Sequence, residues 1–371
     1  IFKINKMLLI KYKWKKKKKI IVSFGTRPEI IKLAPIIEIL KKKKIDLILL
    51  YSGQHYSKNM SEIFLKKFKI NRINYNLKLG KKYKSKKFIN IFYSKFKKIL
   101  KIENPDFVIV QGDTNTCLVS ALATKSFNET NNFNAKIAHV EAGLRSYDMT
   151  MPEETNRIIV DHISHILFPP TKIQEKILNK EGIKKNIHVV GSTIVDNLLN
   201  KKILKLNKKF FLLTIHRYEN VSNKLRLIKI LKIMGKIAKI FNTKVYFPCH
   251  PNTQDKIKLY KIKINENIKI LDPIDYDKFL LLLKNSKVIF SDSGGLQEEA
   301  CILKKHLITF RDNTERPETI KINANYLSML DERKIFNRLK KIFSHKISWK
   351  NHPYGKNVSN KIVQTILDYG K

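Results

Sequence analysis

Apolar and polar residues follow one another along this chain in blocks. Residues 20–24 form a short apolar run that ends at Gly25, which predicts a strand buried on both faces. Residues 28–40 carry apolar positions at helical spacing, with Pro28 at the start, where a missing N–H does no harm. Residues 46–51 predict the next strand, and 56–68 and 88–100 read as helices. Strands at 106–110 and 135–140 follow, then helices at 153–164 and 172–179. The apolar triplet 188–190 precedes Gly191, and 194–205 has a helical pattern.

The succession restarts at 210–215. Further strands are predicted at 244–248, 268–271, 287–291 and 306–310, with helices between most of them and a last helix at 360–368. Strands alternating with helices, twice over, predict an α/β protein with two doubly wound, Rossmann-like parallel sheets and a cleft between them. The expected division is a basic tail over 1–19, one domain over 20–205, a second over 206–355, and a C-terminal helix within 356–371 packing back on the first domain. Ligands of such sheets sit beyond the carboxyl ends of the strands, so chemistry is sought there.

Composition narrows the class. The 371 residues are 43% hydrophobic, ample for two cores. No apolar run approaches the roughly 18 residues that span a bilayer, so no membrane insertion is expected. Cys117, Cys249 and Cys301 are far apart and form no metal or disulfide spacing, which fits a reducing cytoplasm. In residues 1–19 most of the positive charge follows a four-residue apolar stretch, the reverse of a signal peptide, so this reads as a solvated tail. The chain opens at Ile1, and Met7 stands as a candidate start. The net charge of +44 raises nucleic acid or an anionic membrane as partner. The excess is mainly Lys, scattered through nearly every segment with abundant Ile, Asn and Phe, as AT-rich codons would produce. No specific nucleic-acid partner is therefore expected, although the field favours capture of an anionic ligand at low salt.

Several strand ends carry candidate chemistry. Ser293-Gly294-Gly295 opens a helix, where two glycines admit a phosphate close to free N–H groups, and Glu299 lies one to two turns further on, suited to ribose hydroxyls. Gly25-Thr26-Arg27-Pro28-Glu29 is a second glycine turn, with Arg27 and Lys32 placed to meet an anion. It is not a G-x-G-x-x-G fingerprint, so no nicotinamide cofactor is indicated. Asp113, Glu141 and Glu153 are three carboxylates at strand or loop ends, a set from which one acid and one base can be made. Taken singly, Asp113 also fits a helix N-cap and Glu153 a partner of its own helix dipole. His216 follows a strand and suits a phosphate or an acid near neutral pH, while His139 suits bracing a strand end. His250-Pro251-Asn252 is a similar strand-end turn, and Arg316 lies in the polar segment 311–318. No cluster has metal spacing, so no metal is expected.

These segments occur in a recognisable order: Gly25-Thr26-Arg27-Pro28-Glu29, Gly53-Gln54-His55, Gly112-Asp113-Thr114, residues 139–145 (HVEAGLR), residues 152–157 (PEETNR), His216-Arg217, His250-Pro251-Asn252, residues 292–299 (DSGGLQEE) and Thr314-Glu315-Arg316-Pro317-Glu318. The set resembles the non-hydrolysing UDP-N-acetylglucosamine 2-epimerase family over about residues 20–368. The resemblance implies a fold like the GT-B glycosyltransferases, with UDP between the domains, no redox cofactor and a homodimer. It implies interconversion of UDP-N-acetylglucosamine and UDP-N-acetylmannosamine through loss and return of UDP. On that basis Asp113, Glu141 and Glu153 match carboxylates of proton transfer, and His216 matches a histidine near the diphosphate. Arg27, Lys32, His250, Ser293, Gly294, Gly295, Glu299 and Arg316 fall to substrate binding. Two departures stand out. Tyr56-Ser57-Lys58 replaces a second Gln that many bacterial members use in an allosteric site, and residues 321–325 lack a usual glycine, which predicts a less well formed loop. The rivals are an epimerase of another UDP-2-acetamido sugar, a GT-B glycosyltransferase, which would not need the three carboxylates, and a nucleic-acid binder prompted only by charge.

Overall fold

The computed structural model describes residues 17–370 apart from 55–57, 84, 200, 208 and 345–348. Residues 1–16 of the basic tail, and His55 of the second motif, lie outside that set.

Among the described residues twelve strands form two six-stranded sheets in which every pairing is parallel. The first contains β1 (Lys19–Phe24), β2 (Asp46–Tyr51), β3 (Tyr75–Asn76), β4 (Phe107–Gln111), β5 (Lys136–Val140) and β6 (Ile166–Phe168) in the order β3-β2-β1-β4-β5-β6. The second contains β7 (Phe211–Thr214), β8 (Val245–Pro248), β9 (Ile268–Leu271), β10 (Ile289–Ser291), β11 (Leu307–Thr309) and β12 (Asn325–Leu327) in the order β12-β11-β10-β7-β8-β9. Central strands such as Phe107–Gln111 are buried at every position because helices cover both faces, which is why they read as unbroken apolar runs. The α/β class with two doubly wound sheets is thus the observed architecture.

The differences from the sequence reading are local. β3, β6 and β12 have only two or three residues, too few to leave a periodic trace. The segment 188–190 is not a strand; its neighbour Ile187 makes one isolated bridge to Leu167. The helix expected over 194–205 stops at Leu199. Beyond it the chain is tied down irregularly, with Leu206 N–H donating to Asn285 Oδ1 and Asn285 Nδ2 donating to Leu204 O, both at 2.8 Å. The loop without its glycine is well formed. Asn323 takes the left-handed φ of 61° that a glycine would otherwise supply, a conformation asparagine tolerates, and Ala324 N–H closes the turn on Thr319 O at 2.9 Å.

The two halves share a continuous apolar seam. One core cluster joins Ile30, Ile36 and Leu198 of the first half to Leu296, Ala300, Val358 and Ile362. The closing helix Val358–Asp368 packs on the helix Arg27–Lys42. Lys18 reinforces this by donating to Ile366 O at 3.0 Å and Tyr369 O at 2.8 Å, so the end of the basic segment is bound rather than solvated. Gly191 has φ +111° and lies so close to Tyr354 that a Cβ would meet its carbonyl oxygen at 2.1 Å. Asp196 then accepts Val358 N–H at 3.2 Å and Ser359 N–H at 2.7 Å, satisfying the first donors of the closing helix. Asp196→Ala is expected to lower the unfolding free energy by about 1 kcal/mol, read as a lower urea midpoint with an unchanged slope.

Candidate active site

The strand ends hold the candidate residues, as parallel sheets dictate. β1 leads into Gly25, β4 into Gly112-Asp113, β5 into Glu141, β7 toward His216, β8 toward His250, and β10 into Asp292 and the following helix Gly294–Ile302. Each turn is held by its own small set of polar bonds.

At the first turn a Cβ on Gly25 would lie 2.0 Å from Ser52 Oγ and 2.3 Å from Thr116 Oγ1, two hydroxyls that bond each other at 2.7 Å, so only glycine fits. Glu29 Oε2 accepts Gly25 N–H at 3.0 Å and Thr26 N–H at 2.8 Å, closing the turn into the helix. Burial pushes the Glu29 carboxyl up to about 7 even against these bonds. Arg27 is exposed overall, but its guanidinium lies 5.2 Å from the centre of the Phe64 ring, where burial lowers its pKa against the pull of Glu299 and Tyr276.

Lys32, one turn further, is 8% exposed and paired with Glu141. Glu141 sits at φ +72°, a strained conformation for a residue with a Cβ, and such strain is characteristic of functional sites. Its carboxylate also receives Gln111 Nε2 and Arg316 Nη2. Burial lifts the Glu141 carboxyl above the usual range, with Lys32 and Arg316 pulling against it. Burial works to lower the Lys32 ammonium, but Glu141 and Glu298 outweigh it and leave the group above its ordinary value.

Asp113 does not cap the helix that follows it. Thr114 does, by accepting Cys117 N–H at 3.1 Å. Asp113 is left to receive Arg157 Nε at 2.9 Å and Nη2 at 2.5 Å, both on Oδ2. Among the described residues nothing donates to Oδ1, and the side chain is 29% exposed. His139 braces this turn, with Nδ1 at 2.7 Å from Asp161 Oδ1 and Nε2 at 2.9 Å from Gly112 O. The neighbours Glu153 and Glu154 part company. Glu153 is exposed in the first turn of the helix Pro152–Ile163, whereas Glu154 is buried and accepts Ser146 N–H at 3.0 Å, Tyr147 N–H at 2.8 Å and Arg157 Nη1 at 2.5 Å.

In the second half Asp292 is buried and its carboxylate is taken up by the neighbouring turn. It accepts Arg217 N–H at 2.9 Å, Asn220 Nδ2 at 3.0 Å and His216 N–H at 3.1 Å, with His216 Nδ1 at 3.2 Å. It therefore orients His216, whose side chain is 45% exposed. Ser293 is the N-cap residue of the next helix but makes no side-chain cap bond. A Cβ on Gly294 would meet Glu315 Oε1 at 2.0 Å, and one on Gly295 would meet nothing within 4 Å. Among the described residues no side chain caps this helix start, which leaves backbone N–H groups at the positive end of the dipole, the chemistry that suits an anion. Burial acts to raise the Glu315 carboxyl, but Arg311, Arg316, Arg157 and Arg217 hold it well below the usual range. His250 is the N-cap of the helix Pro251–Leu259, its Nδ1 accepting Asn252 N–H at 3.3 Å.

The two halves are closed on each other. Arg316, expected on the substrate, here donates to Glu298 through Nε and to Glu141 through Nη2. Glu298 lies 3.4 Å from Lys32 Nζ and accepts Ser192 Oγ at 2.7 Å. Gln174 Nε2 and Tyr354 OH each donate to Glu318 at 2.9 Å. Tyr276 packs against Phe64 at 6.0 Å between ring centres and donates to Glu299 Oε1 at 2.7 Å. Among the described residues no group of three His, Cys, Asp or Glu is placed to hold a metal, and no helix is long and apolar enough to cross a membrane.

A family model described as UDP-N-acetylglucosamine 2-epimerase matches residues 37–367. The chain belongs to that family. The UDP-N-acetylglucosamine 2-epimerase of Methanocaldococcus jannaschii is 44% identical over 376 residues, covering 95% of this chain and 100% of the relative. A crystal structure of the M. jannaschii UDP-GlcNAc 2-epimerase in complex with UDP-GlcNAc and UDP superposes with a TM-score of 0.85 at 41% identity, covering 95% of this chain and 100% of that one. The UDP-2,3-diacetamido-2,3-dideoxy-D-glucuronate 2-epimerase of Pseudomonas aeruginosa is 35% identical over 320 residues, 83% of this chain and 88% of the relative. This is an enzyme of the isomerase class with the GT-B-like, two-domain α/β fold of its relatives.

Within this epimerase fold the sequence reading found the strand-end residues and missed their partners. Gln111, Ser192 and Tyr276 sit far in sequence from the residues they hold, and no local pattern marks those pairings; Arg157 stands in the motif 152–157, but its partner Asp113 is distant. Glu154 and Glu298 carried a weak signal, each being a buried member of a pair of adjacent glutamates in one of the ordered motifs. Glu299 generates a test. Burial raises its carboxyl from 4.5 to about 7, so the folded chain holds a proton there that the unfolded chain has lost. The stability this provides is complete below pH 4.5 and is lost as pH climbs toward about 7. Glu299→Gln removes the titration, so the variant should gain stability relative to the ligand-free wild type across that window, measured by urea unfolding at a series of pH values.

Proposed function

We propose that the chain reversibly epimerises UDP-N-acetylglucosamine at C2 to UDP-N-acetylmannosamine by eliminating and re-adding UDP. The observation that carries this reading is the meeting, in one closed cleft, of Glu141 and Lys32 from the first half with the helix that begins at Gly294. Asp113 joins the same assembly through Arg157, which is coupled in charge to Glu315, the residue lying against Gly294.

The chemistry explains why both halves are required. The C2 hydrogen of the sugar is not next to a carbonyl, so a base alone removes it poorly. When a carboxylate takes that proton, the C–H electron pair forms a C1=C2 double bond and the C1–O bond breaks. UDP leaves with the bonding pair, and a 2-acetamidoglucal remains. Protonation of C2 from the opposite face and return of UDP to C1 give the epimer. Asp113, Glu141 and Glu153 are the carboxylates proposed to handle these protons, with His216 beside the diphosphate. Ser293, Gly294 and Gly295 would hold the departing diphosphate with backbone N–H groups, and Glu299 the ribose. Arg27 is proposed to supply a cation to the same ligand, and His250, which caps the helix Pro251–Leu259, is proposed to contact it as well. Arg316 is proposed to serve the substrate indirectly, by fixing Glu141. No step calls for a redox cofactor or a metal. The same resemblance makes a homodimer the proposed assembly, and the free cysteines Cys117, Cys249 and Cys301 fit the reducing cytoplasm as the proposed location.

The test is incubation with UDP-N-acetylglucosamine in D2O, followed by NMR, with the diacetamido-uronate analogue offered in parallel. Epimerisation with deuterium at C2 and no net release of UDP is expected. Free UDP with transfer of the sugar to an acceptor would mark a glycosyltransferase instead, and turnover of the uronate alone would move the substrate. Asp113→Asn should lower kcat by roughly 10²- to 10⁴-fold while leaving UDP affinity unchanged. Near-normal turnover of that variant would remove Asp113 from the catalytic set.

A further inference from the structure

The helix Gly294–Ile302 presents Gly294 and Gly295 at its start and, one turn on, Glu298, to which the sequence reading gives no role. Glu298 is fully buried, yet its carboxylate is the meeting point of three groups from different parts of the chain. Lys32 Nζ comes from the helix Arg27–Lys42, Ser192 Oγ from the connection that leaves the first sheet, and Arg316 Nε from the loop before the helix Pro317–Lys321. Lys32 and Arg316 are the two cations that also engage Glu141. The four side chains form a closed square of alternating charge with two corners in each half of the molecule.

We propose that Glu298 is a positioning residue that couples domain closure on the nucleotide to activation of the catalytic carboxylate Glu141. The inference rests on the epimerase reading of Glu141 given above. Glu298 makes no contact with the sugar. It holds the second side of Lys32 and Arg316, and it can do so only when the helix that would bear the diphosphate has swung against the first sheet. In the open protein Lys32 and Glu141 lose both partners from the second half. Closure therefore restores the charge balance around Glu141 at the moment the nucleotide is enclosed.

Charge gives the arrangement a signature that packing alone would not have. The groups facing Glu141 are Lys32, Arg316, Glu298, the amide of Gln111 and the thiol of Cys117. Of these only Glu298 brings a negative charge that helps Glu141 keep a proton. Burial acts to raise the Glu298 carboxyl, but Arg316 and Lys32 hold it at about 2, so it stays ionised through the working range. Without that charge two cations act on Glu141 unopposed and its carboxyl falls.

Glu298→Gln tests the proposal, since it removes the charge at nearly unchanged volume while its one amide oxygen can still accept from Arg316, which bonds Oε1, and Ser192 on Oε2 can turn its hydroxyl to accept from the NH2 group. The steady-state kcat should fall roughly 10- to 100-fold, with KM and UDP affinity within about twofold of wild type if uniform binding is untouched. The acid limb of the kcat–pH profile should move down by roughly one pH unit or more. Ser192→Ala, a milder change that keeps all four charges, should lower kcat by a few-fold, on the order of 2 to 5, with no shift of the acid limb. A Glu298→Gln enzyme with wild-type kcat, or one whose kcat falls while the acid limb stays in place, overturns the proposal. Wild-type protein that binds UDP but exchanges no C2 hydrogen overturns the epimerase reading and this inference together. Normal wild-type exchange with an unaltered variant overturns the inference alone.

Discussion

The buried square of Lys32, Glu141, Arg316 and Glu298 is the constraint on which the rest of the structure depends. Four charges removed from water carry a large desolvation penalty, several kcal/mol for each ion even after relaxation. The penalty is offset only when each charge has partners on more than one side and the net charge is close to zero. Both conditions hold here, because two cations alternate with two carboxylates and Gln111 and Ser192 fill the remaining bonding positions. Neither half of the molecule can meet them alone. The first half supplies a lysine and a glutamate, the second an arginine and a glutamate. Closure is thus an electrostatic requirement of the site as well as a way to enclose a ligand.

The supporting structure follows from that requirement. The helix Gly294–Ile302 must bring a bare N-terminus, Glu298 and Glu299 into three different surroundings within two turns. Glycine at 294 makes room for Glu315, which in turn gathers arginines from both halves. Asp292 fixes the neighbouring turn that carries His216. On the other side Arg157 holds Asp113 and Glu154 together, and His139 anchors the carbonyl before Asp113. Side chains held on two or more sides lose little rotamer freedom when a substrate arrives, which is the condition for electrostatic stabilisation without reorganisation. The apolar seam from Ile30 through Leu296 to Val358 keeps the halves in register while the polar square forms.

The high positive charge plays a different part. Lys residues on exposed faces, such as those at 41–44, remain in solvent and carry no contact with the site. They contribute a long-range field that draws an anionic ligand toward the molecule and is screened by salt within about 10 Å. The charges that do the local work are few, paired and buried, and the overall excess of lysine did not reveal them.

Much of this protein was legible in its sequence because the signals are local. Apolar blocks bounded by glycine fixed the central strands, and the parallel arrangement placed Gly25, Asp113, Glu141, His216 and Gly294 at one end of the sheets. A glycine that admits a close neighbour, or a helix start with free N–H groups, depends on a few adjacent residues and can be read from them. The tertiary structure decided what these residues do for one another. It committed Asp292 to the turn that carries His216, separated Glu153 from Glu154, gave the role of helix cap to Thr114 instead of Asp113, and set Arg316 against two carboxylates. It also made Asn323 an adequate substitute for glycine. Each outcome depends on which distant side chain arrives at hydrogen-bonding range, and burial and charge balance at that range are properties of the assembled pair of domains that no segment carries by itself.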